Sequence, residues 1–261
     1  MRRRYAILLT AVASVAATLA TPSLERKATS STGFRLIRSA AAGRAPAQDP
    51  AFMAPPRVMG KNLGVRVYLI HGLPGYLNYW DAPSRQPLLD ALLLNGAQVV
   101  VLKLPDAQQA YFGDGGATYC RAFDAWFDNM TQAIEKQYGE ARQYTVGVSY
   151  GGLHAMLAAE HPQIAGWVAI SPVTDISRLA EFRFQSNDKC RADPRVVGSK
   201  PGLMIFGRSD QRVGTDLMEA EARRIREAGA TDFVSREVDA AGHDTTPEII
   251  GATAAWIGAK T

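Results

Sequence analysis

The stretch Gly147-Val148-Ser149-Tyr150-Gly151-Gly152 decides the reading of this chain. It follows an apolar run, Tyr144 to Val148, and precedes a short helical segment, Leu153 to Ala159. A serine between two glycines at a strand-to-helix turn has a steric reason for its spacing. The chain must turn sharply, and a Cβ at either glycine would collide with the neighbouring strand or helix. The turn lifts the serine hydroxyl clear of the sheet and sets it at a helix N-terminus, which favours developing negative charge. Ser149 is therefore a candidate nucleophile.

Outward from this stretch the chain alternates strand and helix. Val65–Ile70, Ala97–Leu102, Tyr144–Val148, Ile164–Ile170, Leu203–Phe206 and Phe233–Val238 are short β-rich runs. Between and after them, residues 84–95, 119–138, 153–159, 215–228 and 247–258 read as helices. In the second of these Phe123, Trp126, Phe127, Met130 and Ile134 recur at three- and four-residue spacings. Strands that are continuously apolar are covered on both faces. The expected fold is α/β: a doubly wound, mostly parallel sheet with helices on both faces. In such sheets reactive groups collect in loops at the carboxyl ends of strands.

A serine nucleophile needs a base, and the chain has four histidines. His154 and His161 lie on or just after the helix that follows Ser149 and read as packing or surface residues. His71 ends a strand and is expected to orient its loop. His243, in Ala240-Ala241-Gly242-His243-Asp244, directly follows the last strand and is the candidate base. The acid that would hold its tautomer is Asp210, in a loop after the fifth strand, with Asp175 in reserve. The turn His71-Gly72-Leu73-Pro74-Gly75 can aim backbone N–H groups at an oxyanion. Leu73 and Tyr150 are the expected donors, since Pro74 has no N–H.

These residues resemble the α/β-hydrolase superfamily, and the order Ser149, Asp210, His243 matches its chain order. The resemblance covers about residues 63–259. His71-Gly72-Leu73-Pro74-Gly75 with Tyr79-Trp80 is similar to the esterase D branch. Gly207-x-x-Asp210-x-Arg212-Val213 is similar to dienelactone hydrolases and prolyl-oligopeptidase-like enzymes. The resemblance implies a serine hydrolase, foremost a carboxylic-ester hydrolase, that forms an acyl-enzyme on Ser149. It implies no metal and no cofactor. An acyltransferase or peptidase of the same fold, or a non-catalytic binding protein built on it, is the alternative. Residues 103–119, with Tyr111, Phe112 and Tyr119, and residues 172–200, with Phe182, Phe184 and Cys190, are candidate pocket walls. The latter segment is too short for a large cap domain. The expected partner is a small-molecule or polymer-surface ester.

Composition bounds the rest. The 261 residues are 47% hydrophobic and 21% charged, ordinary for a globular protein. The formal charge is +4, but residues 1–60 hold eight Arg and one Lys against Glu25 and Asp49, which leaves the remainder net negative by three charges. A nucleic-acid-binding surface would need the basic excess on the body, so that class is set aside. Met1-Arg2-Arg3-Arg4, an uncharged run from Tyr5 to Ala20 and the small residues that end it have the layout of a secretory signal. Residues 1–20 are read as a leader, 21–60 as an arm or linker and 61–261 as the catalytic domain. The protein is expected to be exported, to the periplasm or beyond. An organelle-targeted chain is the alternative, and membrane contact is expected only through an uncleaved leader. Cys120 and Cys190 are the only cysteines. Their pairing stays open at this point, and their spacing suits no zinc site.

Overall fold

The computed structural model describes residues 55–73, 79–104, 113–179 and 186–260. All of them fall in one unit, residues 43–261. Residues 1–20, read as a leader, and most of the arm lie outside the described residues, as do Pro74, Tyr111, Phe112, Phe182 and Phe184.

Seven strands form one sheet: β1 (Arg57–Met59), β2 (Val65–Ile70), β3 (Gln98–Leu102), β4 (Arg142–Val148), β5 (Ile164–Ile170), β6 (Gly202–Gly207) and β7 (Phe233–Val238). Their spatial order is β1-β3-β2-β4-β5-β6-β7. Only β1 runs antiparallel to its neighbour. The helices are α1 (Gln86–Leu94), α2 (Ala117–Tyr138), α3 (Tyr150–Ala158), α4 (Pro194–Gly198), α5 (Thr215–Glu227) and α6 (Pro247–Gly258).

The strand pleat sorts side chains between two cores. Tyr68 and Ile70 of β2, with Val100 and Leu102 of β3, pack against α2, α3 and α5 through Phe123, Phe127, Leu153, Met218 and Ile225. Val67 and Leu69, with Val99 and Val101, face α1 and α6 through Leu88, Leu92, Ile249 and Ile257. Both faces are covered, which is why these strands read as unbroken apolar runs. The edge strand β7 instead alternates half-buried and exposed positions until its last residue.

Two elements depart from the sequence reading. β1 draws residues 57–59 into the sheet, so the body begins before residue 61. Three residues after Pro55-Pro56 are too few to show a period. α4 lies within the β5–β6 connection, capped by the Asp193 carboxylate, which accepts from Arg195 N–H at 2.9 Å. Its five residues are likewise too short to register as a helix.

The cysteines form a disulfide, Cys120–Cys190, with Cα atoms 5.5 Å apart. It ties the first turn of α2 to the β5–β6 connection. Tyr119, expected as a pocket wall, instead points into the core, because α2 begins before it. Its hydroxyl donates to His154 Nε2 at 2.8 Å, while His154 Nδ1–H donates to the Tyr150 carbonyl at 2.9 Å. The Tyr150 hydroxyl lies 3.4 Å from that of Tyr119. His154 thus pins the first turn of α3 to α2. Burial, which penalises the charged ring, pushes its pKa down to about 3 despite the opposing pull of the Tyr150 carbonyl.

Closing a loop across a 70-residue separation removes unfolded-chain entropy equivalent to about 4 kcal/mol. A chain carrying both Cys120→Ser and Cys190→Ser should lose about 2–5 kcal/mol in denaturant unfolding; an unchanged midpoint would contradict this.

His154 also predicts a pH dependence. Its folded pKa lies below the unfolded value of 6.5, so between the two the unfolded chain binds more protons. Stability should be full above pH 6.5 and fall as the pH drops below it. His71, also lowered by burial, adds in the same direction. His154→Gln should flatten this acid-side slope in stability measured against pH. An equally steep slope in the variant would show that His154 does not titrate on unfolding.

Candidate functional site

Four parallel strands end at one rim, and each delivers one part of the site. β2 leads directly to His71, β4 directly to Ser149, β6 to Asp210 and β7 to His243. The structure brings Ser149, His243 and Asp210 together. The Ser149 hydroxyl lies 2.9 Å from His243 Nε2, and His243 Nδ1 lies 2.8 Å from Asp210 Oδ2. With Nδ1–H donated to the carboxylate, Nε2 is left to accept the serine proton.

The turn at Ser149 is built as its glycines suggest. Ser149 has φ 57° and ψ −119°, a left-handed conformation that a residue with a Cβ adopts only when its surroundings enforce it. Enforcement comes from the backbone. Ser149 N–H donates to Ile170 O at 2.8 Å, and Ser149 O accepts from Gly152 and Val173 N–H at 2.8 and 3.0 Å. A Cβ at Gly147 would strike the backbone of Gly151, and one at Gly151 would strike the carbonyls of Ile70 and His71. Gly152 lets α3 approach Pro172, whose Cα would lie 2.9 Å from an added Cβ.

Asp210 is buried at 3% exposure. Burial works to raise its pKa, but the net shift is downward. The hydrogen bond to His243 and the amides of Val213 and Arg212, 3.1 and 3.0 Å from Oδ1, outweigh the burial. One carboxylate oxygen is thus held by the backbone and the other is aimed at the imidazole. Gly207 lets the histidine loop close over the end of β6, since a Cβ there would enter the Ala241 and Gly242 carbonyls. Asp175, the reserve acid, is engaged elsewhere: its Oδ1 accepts from Ser177 N–H at 3.0 Å and from the Ser177 hydroxyl at 2.6 Å.

His71 orients its loop as expected. Nδ1–H donates to Gly72 O at 2.8 Å, and Nε2 accepts from Leu104 N–H at 3.0 Å. Leu73 follows directly and packs partly buried against the core. Tyr150 opens α3, so its amide adjoins Ser149 at the helix N-terminus. A Cβ at Gly72 would lie 3.2 Å from Ser149 Cβ, which brings the loop after β2 against the serine turn. His154 and His161 are buried packing residues away from this relay; His161 sits beside Phe127 and Asp124. Among the described residues no cluster of His, Cys, Asp and Glu could hold a metal ion. None of the described helices is long and apolar enough to cross a membrane.

Tyr79 and Arg85 are the parts of the rim whose role the sequence did not announce. Tyr79 lies against His71, ring centres 5.8 Å apart, and against Trp80 at 5.0 Å. Arg85 lies over its ring. Tyr79 enters the sequence reading only beside the His71–Gly75 turn, and Arg85 not at all; the tertiary structure places Arg85 against Tyr79 and Thr245.

The family profile described as alpha/beta hydrolase fold matches residues 65–191. Comparison with curated protein sequences finds no match. Among solved structures the chain is similar to a monoacylglycerol lipase of Paleococcus ferrophilus, at 17% identity and a TM-score of 0.55, covering 79% of this chain and 98% of that one. It is similar to an esterase of Pyrococcus furiosus at 15% identity and a TM-score of 0.57, covering 81% and 92%. A thermostable esterase of Pseudomonas putida matches at 18% identity and a TM-score of 0.57, covering 76% and 73%. The sheet order, the serine turn and these matches show that the chain has the α/β-hydrolase fold.

Proposed function

We propose that this chain is an exported serine hydrolase that cleaves carboxylic esters through an acyl-enzyme on Ser149. The observation that carries the reading is the continuous relay from Ser149 Oγ to His243 Nε2 and from His243 Nδ1 to Asp210, at 2.9 and 2.8 Å. In acylation Ser149 Oγ attacks the ester carbonyl carbon as its proton passes to His243 Nε2. The carbonyl oxygen becomes an oxyanion, and the amides of Leu73 and Tyr150 are the donors assigned to it. Collapse breaks the bond to the alcohol, which takes the proton from His243. Water then attacks the acyl group by the same steps in reverse order of leaving group, with His243 again as base and then acid. Asp210 stays ionised, and it stabilises the imidazolium that forms twice per cycle.

Two further observations support parts of this reading. The similar folds include two esterases and a monoacylglycerol lipase. The disulfide between Cys120 and Cys190 suits an oxidising compartment, in keeping with a basic-then-apolar leader over residues 1–20.

The test is turnover of p-nitrophenyl esters of increasing acyl length by the mature protein. Ser149→Ala should abolish hydrolysis above the buffer rate. Asp210→Asn should lower kcat by about a thousandfold to ten-thousandfold while the chain stays folded. Activity that survives Ser149→Ala would remove the serine mechanism, and a large loss in Asp175→Asn but not Asp210→Asn would remove the acid assignment.

A further inference from the structure

Arg85 joins the two loops that carry the site. Its Nη1 donates to Thr245 Oγ1 at 3.0 Å, two residues beyond His243. On its other side its Cζ lies 5.4 Å from the centre of the Tyr79 ring. Tyr79 in turn reaches the serine turn, because a Cβ at Gly72 would lie 3.0 Å from the Tyr79 hydroxyl and 3.2 Å from Ser149 Cβ. The guanidinium therefore sits between the loop that carries His243 and the ring that borders the serine turn.

No carboxylate among the described residues is within ion-pairing distance of Arg85. Arg57, Arg191, Arg208, Arg224 and Arg236 each hold a carboxylate partner, whereas Arg66, Arg142 and Arg226 share the lack of one among the described residues; what is particular to Arg85 is its place beside Thr245 and Tyr79. A half-buried guanidinium has lost part of its hydration, and an aromatic face and one hydroxyl return only some of it. Of its five N–H donors, the one on Nη1 that reaches Thr245 has a side-chain acceptor among the described residues. At Tyr79 the neighbouring charges are mostly positive. Burial raises the Tyr79 pKa, but Arg85 and Arg212 both oppose that rise, and exposed Asp244 offsets only part of their effect. Net negative charge on the body makes this a local feature and not a general attraction for anions.

We propose that Arg85 binds a carboxylate carried by the substrate, so that the preferred esters are monoanionic. The inference rests on the serine-esterase reading and names its substrate class. A guanidinium with no carboxylate among the described residues matches one negative charge, and its planar fork matches a carboxylate in two parallel hydrogen bonds. A dianion would leave a charge without a partner.

The experiment compares matched esters by kcat/KM. 4-Nitrophenyl hemisuccinate against 4-nitrophenyl butyrate places the carboxylate on the acyl arm. 3-Carboxyphenyl butyrate against phenyl butyrate places it on the alcohol arm. The native chain should favour the anionic member of at least one pair, and Arg85→Gln should cut that ratio by about tenfold or more, chiefly through KM. Added salt should narrow the ratio in the native chain. A merely structural arginine would lower both members of a pair together, and an unchanged ratio in the variant would overturn the inference. So would a native enzyme that hydrolyses the neutral esters but favours neither anionic one, and that result would leave the esterase reading standing. Absence of turnover with all four esters would overturn both.

Discussion

The site depends on a backbone constraint at Ser149. The residue sits at φ 57° with a side chain that disfavours it, held there by the Ile170 carbonyl on its N–H and by two amides on its own carbonyl. Strain of this kind costs about 1–3 kcal/mol, and packing on every side of the turn has to offset it. The glycines at 147 and 151 make that packing possible, because β4, α3 and the end of β2 meet where no Cβ has room. Once the turn is fixed the hydroxyl has one place to be, above the rim, and the loops after β6 and β7 need only reach the same point.

The turn is reinforced from below. α3 follows Ser149 directly, and its first residue, Tyr150, is held through its carbonyl by His154 and through His154 by Tyr119 of α2. The next residue along α2 is Cys120, bonded to Cys190. A covalent tie, a buried neutral imidazole and the first turn of α3 therefore lie in one line of contacts. The imidazole stays neutral because no water reaches it, and a neutral ring is the form that can donate at Nδ1 and accept at Nε2 at once.

Much of this was legible in the residues because the signals were local. The inner strands of the sheet are covered on both faces and so spell themselves out as Val-, Ile- and Leu-rich runs. α2 shows its apolar stripe over 22 residues. Ser149, His243 and Asp210 each follow a strand end, and the sheet geometry does the rest. The parts that escaped are those whose cause is tertiary. β1 exists because β3 offers it an edge, not because Arg57-Val58-Met59 favours a strand. Tyr119 reads as a loop aromatic until the start of α2 turns it inward. The cysteines carry no sign of their 5.5 Å separation, and Arg85 acquires meaning only when Thr245 and Tyr79 are placed beside it.

Reactivity conferred by the fold is the central claim, and fluorophosphonate labelling followed by peptide mapping tests it most directly. The native chain should carry a single adduct on Ser149, and the same chain unfolded in urea should carry none, because among the described residues Ser149 has the one hydroxyl paired to an imidazole that a carboxylate orients. An unlabelled native chain, or one labelled at another residue, would contradict the account.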